Sequence, residues 1–193
     1  MLFNRSFIAG ILISIGAMAY LSIGGMAGAV AFSVGLIGVI ILGVELFTGR
    51  MVLESDVKKL GIIWLGNFCG CAMGSLLARP WIGISLASSA IIEGRLATGA
   101  LCIGISAVLC GFMMACATVP HALGWGDKIG RWLLTIACVT GFIMIGADHC
   151  IADTFYWFSS GSMLSSIWIP LVATIGNYVG GWLFKLGVYK KIG

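Results

Sequence analysis

The chain has 193 residues, of which 60% are hydrophobic and 9% charged, with a formal net charge of +4 and a mean hydropathy of +1.10. A water-soluble domain carries about a quarter of its residues as charges, so this composition excludes a soluble globule, and with it a basic nucleic-acid-binding surface. Lipid is the solvent that fits most of the chain.

No residue between Arg5 and Glu45 is charged. A helix crosses the hydrocarbon in about 20 residues, so this run predicts two helices that divide near Gly24, Gly25 and Gly28. The first continues straight into the second apolar segment, so it reads as a span and not as a cleavable signal peptide. Residues 60–78 predict a third span, and residues 96–118 a fourth, closed by Pro120. Residues 132–147 predict a short fifth. The charge-free stretch between Asp153 and Lys185 holds a re-entrant piece and a sixth helix. The expectation is an all-α membrane protein forming a single channel domain over residues 1–193.

With six spans and the N-terminus inside, one side carries Arg5, Arg50, Lys58, Lys59, Lys128, Arg131, Lys185, Lys190 and Lys191. The other carries only Arg79 and Arg95. This bias predicts a cell (inner or plasma) membrane protein with both termini cytoplasmic. The seven cysteines, Cys69, Cys71, Cys102, Cys110, Cys116, Cys138 and Cys150, lie in or beside apolar segments without a C-x-x-C pair, as small buried residues do.

Two halves rhyme, over about 5–80 and 95–190. Gly-Asn-Phe-Cys-Gly at 66–70 is matched by Gly-Asn-Tyr-Val-Gly at 176–180, and Glu45 in VELFTGR by Asp148 in GADHCIAD. The openings are aligned as residues 9–16 against 98–105. Three spans per half give copies of opposite orientation, and polar residues among glycines at 45–50 and 148–153 predict breaks in the second and fifth helices.

His149 is the histidine placed inside a span, whereas His121 follows Pro120 in an expected loop. An intramembrane ionisable residue faces a cavity or a partner, and imidazole can exchange a proton with a weak acid. A structural role bonded to Asp148 or to backbone is the bland reading. His149 and Asp153 share a face at i, i+4 spacing, so Asp148, His149 and Asp153 also allow a divalent metal site. Thr48 offers a hydroxyl to an ion or a cap to a helix. Arg50 and Arg95 either concentrate anions or only set topology.

VELFTGR, GADHCIADTF, GNFCG and GNYVGG together resemble the formate/nitrite transporter family. The resemblance covers nearly the whole chain and implies homopentamers, an aquaporin-like fold of six helices, and passage of formate, nitrite or hydrosulfide with no cofactor. By motif position it implies a central histidine at His149, a loop threonine at Thr48 and a sixth-helix asparagine at Asn177. It puts an inner constriction at Leu36 and Phe142 approached past Phe32, and an outer one at Leu46 and Phe47. Asp148 stands where the family has Glu, and Asp153 and Thr154 stand where it has Asn and Met. The family's vestibule lysine has no counterpart, and Arg95 is the nearest base.

The expected function is a channel for small monovalent anions, possible proton coupling running through His149. The alternatives are a divalent metal transporter using Asp148, His149 and Asp153, or a neutral-solute channel. The latter lacks both N-P-A boxes and a second intramembrane histidine. An intramembrane protease would use Ser159, Ser160 or Ser162, but no G-x-S-x-G occurs.

Overall fold

The computed structural model describes the backbone of residues 1–192 and the side chains of all of these except 163, 164 and 189–192. Lys190 and Lys191, both counted in the charge asymmetry, therefore have side chains outside the described set. The described regular structure is entirely helical: α1 (Leu2–Ile23), α2 (Gly25–Leu42), α3 (Phe47–Arg50), α4 (Val57–Ala78), α5 (Ile82–Leu123), α6 (Lys128–Met144), α7 (Cys150–Ser160), α8 (Met163–Ser166) and α9 (Trp168–Ile192). Helices α1, α2, α4 and α5 are long and apolar enough to cross a membrane. Apolar side chains cover much of the outside, as expected for a body that lipid surrounds.

The division between α1 and α2 falls at Gly24, as expected. The fourth span differs from expectation. Helix α5 begins at Ile82, is interrupted at Gly99 and continues through Pro120 to Leu123, so Pro120 does not close it and His121 is helical. Proline removes one backbone donor, and within a membrane body neighbouring groups compensate the freed carbonyl. Here Thr135 of α6 donates to Ala117 O, next to the carbonyl that Pro120 leaves free. The Asp127 carboxyl caps α6 at Gly130 N, 2.8 Å away, and that N–H holds the exposed acid below the usual carboxylate range. This cap is present at neutral pH and is lost only as pH falls into the acid range.

Two pairs of helices, α1 with α4 and α5 with α9, run in register through glycines. A Cβ on Gly10 would sit 2.2 Å from Asn67 O, and one on Gly111 would sit 2.1 Å from Asn177 O. A Cβ on Gly70 would meet Phe7 O at 2.1 Å, and one on Gly180 would meet Val108 O at 2.0 Å. Gly10 and Phe7 are each 101 positions before their counterparts Gly111 and Val108. Residues 9–16 therefore correspond to 110–117, and the alignment of 9–16 with 98–105 was out of register. Short apolar strings of Ala, Ile, Gly and Ser match by chance, whereas the backbone contacts do not.

No close approach of this kind tolerates a methyl group without moving a backbone. Gly180→Ala is expected to abolish the monodisperse peak of detergent-solubilised protein in size-exclusion chromatography. Gly187→Ala, where a Cβ meets nothing within 4 Å, is expected to leave that peak unchanged.

Candidate functional site

Helix α2 ends at Gly43 (φ 61) and α6 gives way at Gly146 (φ 71), left-handed conformations that glycine adopts without strain. In the first turn Gly43 N donates to Ile40 O at 3.2 Å and Val44 N to Val39 O at 3.1 Å. In the second Gly146 N donates to Ile143 O at 3.1 Å and Ala147 N to Phe142 O at 2.9 Å. The same two-bond turn recurs 103 positions later, and each leads into extended backbone, ending at Leu46 in one copy and His149 in the other.

Extended backbone in an apolar interior needs partners, because each unpaired polar group costs several kcal/mol. One asparagine serves each break. Asn67 Oδ1 accepts from Phe47 N at 2.8 Å, and its amide donates to Glu45 O at 2.9 Å and Ser6 O at 2.7 Å. Asn177 Oδ1 accepts from Cys150 N at 2.9 Å, and its amide donates to Asp148 O at 2.9 Å and Ala107 O at 2.8 Å. Both asparagines are fully buried. Asn177 thus places the wall of the site by bracing backbone.

The braces bring Thr48 and His149 together. Thr48 Oγ1 lies 3.0 Å from His149 Nε2, and both side chains are buried. His149 Nδ1 accepts from Ala152 N at 3.2 Å and so caps α7. An accepting Nδ1 carries no hydrogen, which puts the hydrogen of the neutral ring on Nε2, pointing at Thr48. Thr48 is not a helix cap, since that position in α3 is Leu46.

Two cavities lie by these residues, one lined by the Leu46 and Gly49 that flank Thr48 and the other by His149 itself. One, of about 320 Å³, is lined by Leu46, Arg50, Thr118 and His121 among others. The other, of about 100 Å³, is lined by Tyr20, Arg95, Phe142, His149, Asp153 and Tyr156. Phe32 meets Phe142 edge-on at 5.8 Å, and Phe142 lies 5.5 Å from the His149 ring. Leu36 and Phe47 are buried. The apolar residues divide between the two cavities. Phe142, with Phe32 against it, lines the cavity of Arg95, and Leu46 lines that of Arg50.

Charge is distributed unequally between the breaks. Glu45 pairs with Arg5 at 3.2 Å and with Arg50, whose Nη2 donates to Oε1 at 2.9 Å. Arg95 reaches Asp148 Oδ1 at 2.6 Å and Asp153 Oδ1 at 2.7 Å, and Ser106 donates to Asp148. The first group sums formally to +2 − 1 = +1 and the second to +1 − 2 = −1. Arg95 is therefore a tie between carboxylates, and its charge is not free to gather anions. Its guanidinium also contacts both carboxylates of the alternative metal site, while His149 Nε2 faces Thr48. No group of three or more His, Cys, Asp or Glu is arranged to hold a metal ion among the described residues.

Sequence reasoning passed over Ser106 and Tyr156, which look like ordinary residues of apolar helices. Tyr156 lies 5.5 Å from the Arg95 guanidinium, measured to its ring centre. Asn67 had a signal in its match to Asn177.

Residues 1–190 match the family model described as formate/nitrite transporter. The chain belongs to the formate/nitrite transporter family. It is accordingly a transport protein and not an enzyme. An uncharacterised transporter, YrhG, from Bacillus subtilis is 29% identical, covering 87% of this chain and 71% of that protein. A probable formate transporter from Methanothermobacter thermautotrophicus is 28% identical, covering 95% of this chain and 85% of that protein. Among solved structures, a pentameric formate channel with formate bound superposes with a TM-score of 0.78 at 22% identity, covering 97% of this chain and 94% of that one. An FNT family ion channel superposes with a TM-score of 0.83 at 21% identity, covering 98% and 89%. These structures share the fold of this formate/nitrite transporter family member, including the apolar helices of a membrane channel.

Proposed function

We propose that this chain passes small monovalent anions, formate, nitrite or hydrosulfide, through a pore within each protomer. The path runs from the Arg50 cavity past Leu46, between Thr48 and His149, and past Phe142 into the Arg95 cavity. The observation that supports the reading is the 3.0 Å contact of Thr48 with His149, two buried hydrogen-bonding side chains set among apolar ones. Donors there suit an anion, which they partly repay for lost water, and do nothing for a metal cation. His149 acts as a hydrogen-bond donor through Nε2, because a proton on Nδ1 would oppose Ala152 N–H and undo the cap on α7.

In this reading six helices cross the membrane as an inverted 3+3 repeat of aquaporin-like form, with both termini cytoplasmic and the Arg50 cavity facing the cytoplasm. The matched turns at Gly43 and Gly146 and the matched asparagines support the repeat. The assembly is a homopentamer in the cell membrane, and the solved formate channel is pentameric by its description.

Proteoliposomes holding the purified protein are expected to take up formate, nitrite and hydrosulfide and to exclude zinc. Zinc uptake without anion uptake would overturn the reading in favour of a metal transporter.

A further inference from the structure

The second break holds one carboxylate too many. Asp148 and Asp153 share the single guanidinium of Arg95, and Asp153 is completely buried. Asp153 Oδ2 has no hydrogen-bond partner, and neither does the buried hydroxyl of Tyr156 one turn along the same helix. The charged and titratable groups around the acid can be named by element. Arg95 and Cys110 face it from α5, Asp148 and His149 from the break, and Cys150 and Tyr156 from α7, while Tyr20 of α1 lines the same cavity. Arg95 supplies the positive charge among them, and one arginine cannot neutralise two buried carboxylates. A proton is the simplest missing charge, and an orphaned carboxylate oxygen beside a cavity is where it fits.

We propose that Asp153 is the proton-carrying group of this pore, resting as a neutral acid beside the Arg95 cavity and lending its proton to the anion that enters there. The inference rests on the anion-channel reading for its substrate. With the proton on Asp153 the cluster sums to zero and admits an anion, and without it the cluster carries −1 and repels one. In the step itself the O–H bond of the Asp153 carboxyl breaks and a bond from that hydrogen to the anion forms, giving the neutral acid HA and an Asp153 carboxylate paired with Arg95. Water at the cavity mouth returns a proton to Asp153. The neutral acid then passes Phe142 and the Thr48–His149 contact and releases its proton to water in the Arg50 cavity, so that one proton accompanies each anion. His149 keeps its cap throughout.

The chain has four aspartates, Asp56, Asp127, Asp148 and Asp153. Infrared spectroscopy of protein labelled with carbon-13 aspartate, at neutral pH and without substrate, is expected to show a protonated-carboxyl band. The band should persist in Asp148→Asn and vanish in Asp153→Asn, whose amide has the shape of the neutral acid. No such band in wild type, or a band that vanishes in Asp148→Asn instead, overturns the proposal. Wild-type protein alone decides the first point if a variant fails to fold. In proteoliposomes, Asp153→Asn is expected to take up formate with its dependence on external pH lost, and a retained dependence overturns the proton role. A band without flux of any anion would instead retract the channel reading and leave the proton site in place.

Discussion

Arg95→Leu is expected to leave no folded protein in a detergent extract. The arginine holds Asp148 at 2.6 Å and Asp153 at 2.7 Å, and both acids are buried. Removing one partner of a buried ion pair costs about 3–5 kcal/mol because the other charge stays buried, and here a single substitution strands two acids. The whole stability of a folded protein is about 5–15 kcal/mol. Arg95→Lys is expected to be intermediate. It keeps the charge, but Nε serves one carboxylate and Nη1 the other, a fork that one ammonium nitrogen does not reproduce. Thermal unfolding followed by tryptophan fluorescence checks the series, with a lowered midpoint for Arg95→Lys and no transition for Arg95→Leu. Adding Asp148→Asn to Arg95→Leu removes the stranded carboxylate charge and should restore part of the folded fraction. A wild-type midpoint in Arg95→Leu would show that the three side chains are solvated and do not form a buried tie.

Asn177→Leu has a comparable expected effect for a different reason. The side chain carries three hydrogen bonds to backbone at 2.8–2.9 Å, two of them to the break itself. Each buried group left unpaired costs about 1–3 kcal/mol, so the break loses the brace that Asn177 supplies from α9. Asn177→Asp does not rescue it, because a carboxylate would face the carbonyl oxygens of Ala107 and Asp148, which need a donor. Asn67→Leu should fail alike at the first break. The fraction of solubilised protein in the monodisperse chromatographic peak measures all three, and a wild-type fraction for Asn177→Leu would contradict the bracing role.

Much of this was legible in the chain because a membrane makes polarity costly. Polar residues amid glycine in VELFTGR and GADHCIAD marked both breaks, and Gly-Asn-x-x-Gly at 66–70 and 176–180 marked the residues that hold them. His149 stood out for the same reason. The extent of α5 was not legible, since an interruption at Gly99 and a tolerated Pro120 depend on what neighbouring helices supply. The gap from acid to asparagine, 22 residues in one half and 29 in the other, had no reading until the second half-helix proved to be eleven residues, Cys150–Ser160, against four in Phe47–Arg50. Arg95 read as an anion-gathering base or a topology signal because its two partners lie more than 50 positions away, and only the fold brings α5 against the second break.

The central claim is that the permeant anion crosses at the contact of Thr48 with His149, and formate uptake by His149→Asn proteoliposomes tests it most directly. Asparagine is a good N-cap, so it can keep the bond to Ala152 N and with it the start of α7. Its single short amide cannot also reach Thr48, 3.0 Å beyond the Nε2 it replaces. A hydrogen bond to the passing uncharged acid is worth about 0.5–1.5 kcal/mol, so uptake is predicted to fall by about twofold to tenfold while the protein stays monodisperse. Uptake at the wild-type rate by a folded His149→Asn protein would contradict the account, and would place the path of the anion elsewhere in the molecule.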